Sequence, residues 1–347
     1  MQPNQPIQPP VTPAPTPAAA PNTPKGAAKF IDGKKVALIT TSVILGIIVV
    51  VAIIVLIINL ITRPQTEDNP TENDDPGQSE VGTPESVDLQ LAVDQWLTSQ
   101  KADDSGIIIY DIDNDEVVAR HNESKQFTID TVYQMFLAYE GYYRIDHSML
   151  EGTAVYPIGE DFDGKPYTRK HCLDYMVRFS YAPCAASLIN DIGFENLQAA
   201  YKERGFKDTN ISQAISTPSD LLKLYQMYWK HKDLSKESWD KIQESMLNQV
   251  AGTQDFTYAQ NWRMGMPSGF GTALVYNKVG MYGIETTWLR FSDASFIVFP
   301  EVEANKDGQK KPARHFISIV LTTNTTPQEI VKLGRKVEEA IKQADNY

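Results

Sequence analysis

The chain has 347 residues and a formal net charge of −12, from 44 Asp and Glu against 32 Lys and Arg. That balance argues against a nucleic-acid partner, because neutralising phosphates needs clustered Lys and Arg. Two cysteines are too few for a disulfide scaffold, and five scattered histidines without HExxH or paired CxxC argue against a metal site.

Residues 1–35 are dominated by Pro, Ala, Gln, Asn and Thr. They hold too few large apolar side chains to offset chain entropy, which predicts a disordered tail. From Val36 to Thr62 no side chain is charged. As a helix this run is roughly 40 Å long, enough to cross a hydrocarbon core of about 30 Å. A cleaved signal peptide has only about 7–15 apolar residues, so the run reads as a transmembrane helix. Lys25, Lys29, Lys34 and Lys35 precede it and Arg63 alone follows. The positive-inside rule then puts the N-terminus in the cytoplasm and the rest outside, a single-pass cell-membrane protein. Residues 63–85, acidic and rich in Pro, Asn, Asp and Gly, predict an extended linker.

The remainder, 86–347, predicts one mixed domain. Ser86 is placed to cap a first helix carrying Val87, Leu89, Leu91, Ala92 and Trp96 at helical spacing. Gly106–Ile112 and Glu116–Arg120 read as two strands around an Asp-Asn-Asp turn. Helices follow near 131–144, 168–179, 183–191, 195–203, 217–230 and 235–248. Strands return at Thr272–Gly280, Thr286–Arg290, Ala294–Phe299 and His315–Thr322. A last helix from Pro327 carries Ile330, Leu333, Val337 and Ile341 on one face. This order predicts an α+β fold: an antiparallel sheet from both ends of the domain, flanked by helices, with a helical subdomain inserted and the cleft where it meets the sheet.

The hairpin YDIDNDEVVARHNE, Phe127 four residues before Thr131, the helix Tyr133–Tyr143, the segment Met176–Gly193 and the strand VYNKVG together resemble the serine β-lactamases and penicillin-binding D,D-peptidases. The resemblance implies a β-lactamase/transpeptidase-like fold and no cofactor. It also implies a cleft built from three motifs: S-x-x-K, with a nucleophile and its base; S-x-N, with a proton shuttle; and K-T-G, which holds the substrate carboxylate.

Carried onto this chain, the first motif reads Thr131-Val132-Tyr133-Gln134. Threonine keeps the hydroxyl but crowds it with a methyl, and the neutral amide of Gln134 cannot take its proton. The second reads Ser180-Tyr181-Ala182, with the shuttle hydroxyl kept and the substrate-contacting amide replaced by a methyl. The third reads Lys278-Val279-Gly280, keeping the cation and the close-approach Gly but losing the hydroxyl. The stretch Gly205–Asp220, where class A β-lactamases place a deacylating Glu, has none.

Thr131, Gln134 and Ser180 are thus the catalytic-motif positions, and Tyr181, Ala182, Lys278, Val279 and Gly280 the substrate-binding ones. The joint losses point to a catalytically degenerate domain that binds a peptidoglycan-type ligand, a β-lactam or a protein partner. The alternative is acyl transfer with Thr131 as nucleophile and another base. Cys172 and Cys184 flank the second motif, either as buried free thiols or as a bridge, the form an extracytoplasmic compartment favours. Ser238-Trp239-Asp240-Lys241 also spells S-x-x-K, but on a helix read as solvated surface. Tyr139, Tyr142 and Tyr143 read as core aromatics at helical spacing.

Overall fold

The computed structural model describes residues 86–100, 104–161, 163–247, 265–284, 287–302 and 311–345. The predicted tail 1–35, membrane run 36–62 and linker 63–85 lie outside them. Among the described residues no helix is long and apolar enough to cross a membrane.

In chain order, α1 (Gln90–Ser99) leads into β1 (Asp104–Asp111), β2 (Glu116–His121) and the short β3 (Phe127–Thr128). A single 3-10 turn, Asp130–Val132, opens α2 (Tyr133–Asp146). The short strands β4 (Val155–Glu160) and β5 (Pro166–Thr168) precede α3 (Arg169–Phe179), α4 (Ala182–Ile192) and α5 (Phe194–Glu203). Next come β6 (Ile215–Ser216), α6 (Pro218–Trp229), α7 (Lys236–Leu247) and the four-residue α8 (Met266–Gly269). The chain closes with β7 (Leu274–Ile284), β8 (Thr287–Phe299), β9 (Arg314–Thr323) and α9 (Pro327–Asp345).

Strands from both ends of the domain form one five-stranded sheet, in the order β2-β1-β9-β8-β7. Each neighbouring pair is antiparallel. Successive side chains of a strand face opposite sides, so a strand buried on both faces reads as an uninterrupted apolar run. The run of β1 shows this directly: Ile107 and Ile109 pack under the terminal helices. Ile108 and Tyr110 pack against the helical block.

On the first face α1 and α9 bury Val93 and Trp96 against Ile330, Leu333, Val337 and Ile341. The Trp96 indole donates to Glu329 O at 2.7 Å, tying the two helices together. The opposite face carries α2 to α7, and β7, the edge strand on that side, meets the turn that holds Thr131.

Three expectations change. Leu89, the N-cap residue of α1, makes no side-chain cap bond; Asp88 Oδ1, not Ser86, accepts the first helical N–H, that of Gln90, at 2.9 Å. Leu91 is 65 % exposed while Val93 is fully buried, so the apolar stripe runs through Val93. The two predicted strands around residue 291 are one, because the intervening Ser292 and Asp293 are buried within β8 rather than turning the chain. The ribbon β4–β5 carried no sequence signal that was read.

Helices α3 and α4 are joined by a bridge between Cys172 and Cys184, 12 residues apart. Closing so short a loop contributes about 2–3 kcal/mol in the chain-entropy account. Replacing both cysteines by Ala is expected to lower the unfolding free energy by about that amount in urea denaturation. An unchanged midpoint would mean that the bridge does not constrain the chain.

Candidate active site

The segment before α2 is held at several points. Strand β3 pairs with β6 through Phe127–Ser216 and Thr128–Ile215, and Ile129 N–H donates to Ala214 O at 2.8 Å. Asp130 then takes a left-handed backbone conformation, φ 43°. A non-glycine residue there costs about 1–3 kcal/mol and persists only where its surroundings impose it. Here the carboxylate is clamped by Arg290 at 3.0 Å. Burial raises the Asp130 pKa and Arg290 works against that rise. Both Asp130 oxygens therefore engage Arg290.

Ser180 reaches the same place from α3. That helix starts at Thr168, whose hydroxyl accepts from His171 N–H at 3.2 Å. It ends at Ser180 in a left-handed cap, φ 53°. Lys278 comes from β7. Its side chain is fully buried, and Nζ donates to Met176 O at 3.0 Å and Val177 O at 3.2 Å, the last carbonyls of α3. It also contacts Ser180 Oγ. Ser180 Oγ donates to Thr131 Oγ1 at 3.3 Å, and Thr131 Oγ1 donates to Val279 O at 3.0 Å. Lys278, Ser180 and Thr131, residues from three separate motifs, thus form one hydrogen-bonded chain.

Burial pushes the Lys278 ammonium well below its ordinary pKa. The protonation state sets the direction of that chain. As an ammonium, Lys278 has three donors for its three neighbours, and protons point outward to the Val279 carbonyl. As a neutral amine it keeps two donors and offers a lone pair to the Ser180 hydroxyl.

The remaining motif positions serve the scaffold. Val279 sends its side chain into the core beneath the terminal helices and offers the site only its carbonyl. Gly280 presses on the Thr131 turn: a Cβ there would stand 2.6 Å from Ile129 O and 3.1 Å from Thr131 N. Gln134 is fully buried, and neither polar atom of its amide completes a hydrogen bond. Its polar neighbour is Tyr133, whose phenol is raised by burial and lowered in part by that amide. Tyr181, half-buried, stacks on Tyr167 with centroids 5.2 Å apart. Ala182 is exposed at the first position of α4. In the 205–220 stretch, Asp220 accepts from Asp208 N–H at 2.9 Å and Thr209 Oγ1 at 2.8 Å, so its carboxylate braces the loop.

Tyr139 and Tyr142 are core residues, 0 % and 2 % exposed. Ser238 departs from expectation: it is 3 % exposed and donates to Asp146 Oδ1 at 2.9 Å. Only the Asp240 and Lys241 side of its helix faces solvent. Among the described residues no group of three or more His, Cys, Asp or Glu could hold a metal ion. The sequence reading missed Arg290, whose partner Asp130 is 160 residues away. It also missed Asp293, fully buried beside the third motif on β8. Asp293 Oδ2 accepts from Met266 N–H at 3.0 Å and Asn277 Nδ2 at 3.2 Å.

Residues 88–343 match the family described as the beta-lactamase enzyme family. A comparison with curated proteins finds no match. Among solved structures, an ancestral class A β-lactamase aligns with TM-score 0.58 at 14% identity, over 73% of this chain and 99% of that one. A class A β-lactamase representative from Bacteroides cellulosilyticus aligns with TM-score 0.58 at 16% identity, over 75% and 100%. The protein PBP-A aligns with TM-score 0.57 at 16% identity, over 75% and 98%. These likenesses show the fold.

Two outcomes follow from the buried polar groups. Gln134→Met keeps the volume and removes an incompletely bonded amide, and is expected to raise the unfolding free energy by about 1 kcal/mol in urea denaturation. Burial pushes the Asp293 carboxyl up to about 7. The folded chain therefore holds this proton over a range where the unfolded chain has released it. Its contribution to stability is complete below about pH 4 and is lost as the pH rises through about 7. Asp293→Asn is expected to flatten stability over that window, measured as Tm against pH.

Proposed function

The chain belongs to the beta-lactamase enzyme family, and on that premise we propose a membrane-anchored, extracytoplasmic domain that binds a cell-envelope ligand of the peptidoglycan-peptide type without turning it over. The anchor and its orientation are supported by the uncharged run 36–62 and the lysines before it. The ligand class is supported by the family's three-motif cleft. One observation carries the loss of turnover: Thr131 donates its proton to a main-chain carbonyl, and the residue placed to accept it, Gln134, is a buried neutral amide. A carbonyl is no base, and a missing general base costs about 10²–10⁴-fold in rate.

A second reading rests on Lys278. It is the amine in contact with the Ser180 hydroxyl, and burial drives it toward the neutral form. In that form a proton leaving Thr131 passes to Ser180 as Ser180 passes its own to Lys278. This relay gives a slow acyl transfer with Lys278 as the terminal base.

One structural neighbour, a PBP-A variant, was captured as an acyl-enzyme complex with penicillin G, which recommends the probe. Intact mass of the full chain after incubation with penicillin G is expected to show no adduct. A stable mass gain absent from Thr131→Ala would overturn the non-catalytic reading and establish the relay. Muropeptide binding is expected in equilibrium dialysis, and about tenfold weaker in Ala182→Trp, which fills the exposed start of α4 without touching the core. Equal affinity in parent and variant would remove the cleft as the binding site.

A further inference from the structure

Thr131 and Ser180 bring two hydroxyls to the cluster, and they stand differently toward its amine. Thr131 is a secondary alcohol that donates to the Val279 carbonyl at 3.0 Å and meets Lys278 by way of Ser180. Ser180 is a primary alcohol in direct contact with the Lys278 amine. It sits in the left-handed cap of α3, φ 53°, a strained conformation for a non-glycine residue of the kind that gathers at sites of chemistry. Ser180 also keeps part of its surface, whereas Lys278 keeps none.

Counting donors shows where the amine points. A neutral amine has two N–H bonds and one lone pair. The Met176 and Val177 carbonyls, at 3.0 and 3.2 Å, have no proton to give, so they take the two N–H bonds. The lone pair is left for the third neighbour, Ser180 Oγ. A hydroxyl touching a base that other groups hold in orientation is the signature of an activated nucleophile. Burial favours the neutral amine. Of the acids in this corner, Asp130 is committed to Arg290, and Asp293, paired with Val279, looks to the other face of the sheet.

We infer that Ser180 is itself a nucleophile, with Lys278 as its base, and that the pair cleaves small carboxylic esters. Ser180 Oγ bonds to the ester carbonyl carbon as its proton passes to Lys278 Nζ. The C–O bond to the alcohol breaks, and the alkoxide leaves with the proton from Lys278. Water then attacks the acyl carbon and gives its proton to Lys278. The acid is released, and Ser180 takes that proton back. An alkoxide is a far better leaving group than an amide nitrogen, so an ester asks less of a site that has lost the polar groups at positions 182 and 279. The activity is thus independent of the peptidoglycan-type ligand, which is an amide and a carboxylate.

Diisopropyl fluorophosphate tests this in the full chain. With an activated serine its P–F bond breaks, an Oγ–P bond forms, and fluoride and a proton leave. Intact mass is expected to show one adduct, which fragment masses place on Ser180, and Ser180→Ala is expected to abolish it. The labelling rate is expected to rise with pH through an inflection well below 10.5, as Lys278 gives up its proton. Turnover of p-nitrophenyl acetate is expected to fall about 10²-fold in Ser180→Ala. No adduct, an adduct on Thr131 or elsewhere, a rate flat across that pH range, or unchanged ester turnover in the variant overturns the inference. Mapping the adduct in the parent chain keeps the test independent of how the variant folds.

Discussion

Lys278 is the point at which the two halves of this domain are fastened. A fully buried amine must find acceptors or pay heavily in desolvation, and it finds them in the last carbonyls of α3 and in Ser180. Those groups belong to the helical block, whereas Lys278 belongs to the edge strand of the sheet. The side chain therefore fixes where α3 ends and, through the left-handed cap, where the Ser180 hydroxyl points. The Cys172–Cys184 bridge restrains the same corner from the other side of Ser180. Thr131 is brought in by a different set of contacts: the β3–β6 ribbon, the Asp130–Arg290 pair and the bare Cα of Gly280.

This arrangement separates two roles that one lysine and one serine serve together. The contacts that bring Ser180 and Thr131 together are equally those that hold the sheet to the helices. Lys278, Ser180 and Gly280 each make contacts on which the packing depends, while Gln134 forms no side-chain hydrogen bond and Ala182 is exposed.

Much of the fold was legible because burial on both faces writes itself into composition: GIIIYDI and the apolar stripe of α9 announce a covered strand and a docked helix. Local polarity misled at β8, where Ser292 and Asp293 looked like a break, because the Asp293 partners Met266 and Asn277 are tertiary. Leu91 misled for a related reason: in a short helix two apolar stripes compete, and only packing against α9 selects the one through Val93. The site was legible where a motif letter survives, at Ser180, Lys278 and Gly280, and where its hydroxyl does, at Thr131. The Asp130–Arg290 clamp was not, since nothing local links residues 160 apart. Val279 was read for the hydroxyl it lacks, whereas its side chain turns away and its carbonyl takes part.

The sheet order also has a mechanical meaning. The described domain opens with α1 and then β1, whereas the motif positions gather beside β7, at the far edge of β2-β1-β9-β8-β7. A load applied between β1 and β7 must cross the β1–β9, β9–β8 and β8–β7 ladders in turn. Each ladder spans eight or more residue pairs, so a force along the strands is borne by many hydrogen bonds in parallel. The sheet thus couples β1 to β7 through three antiparallel ladders.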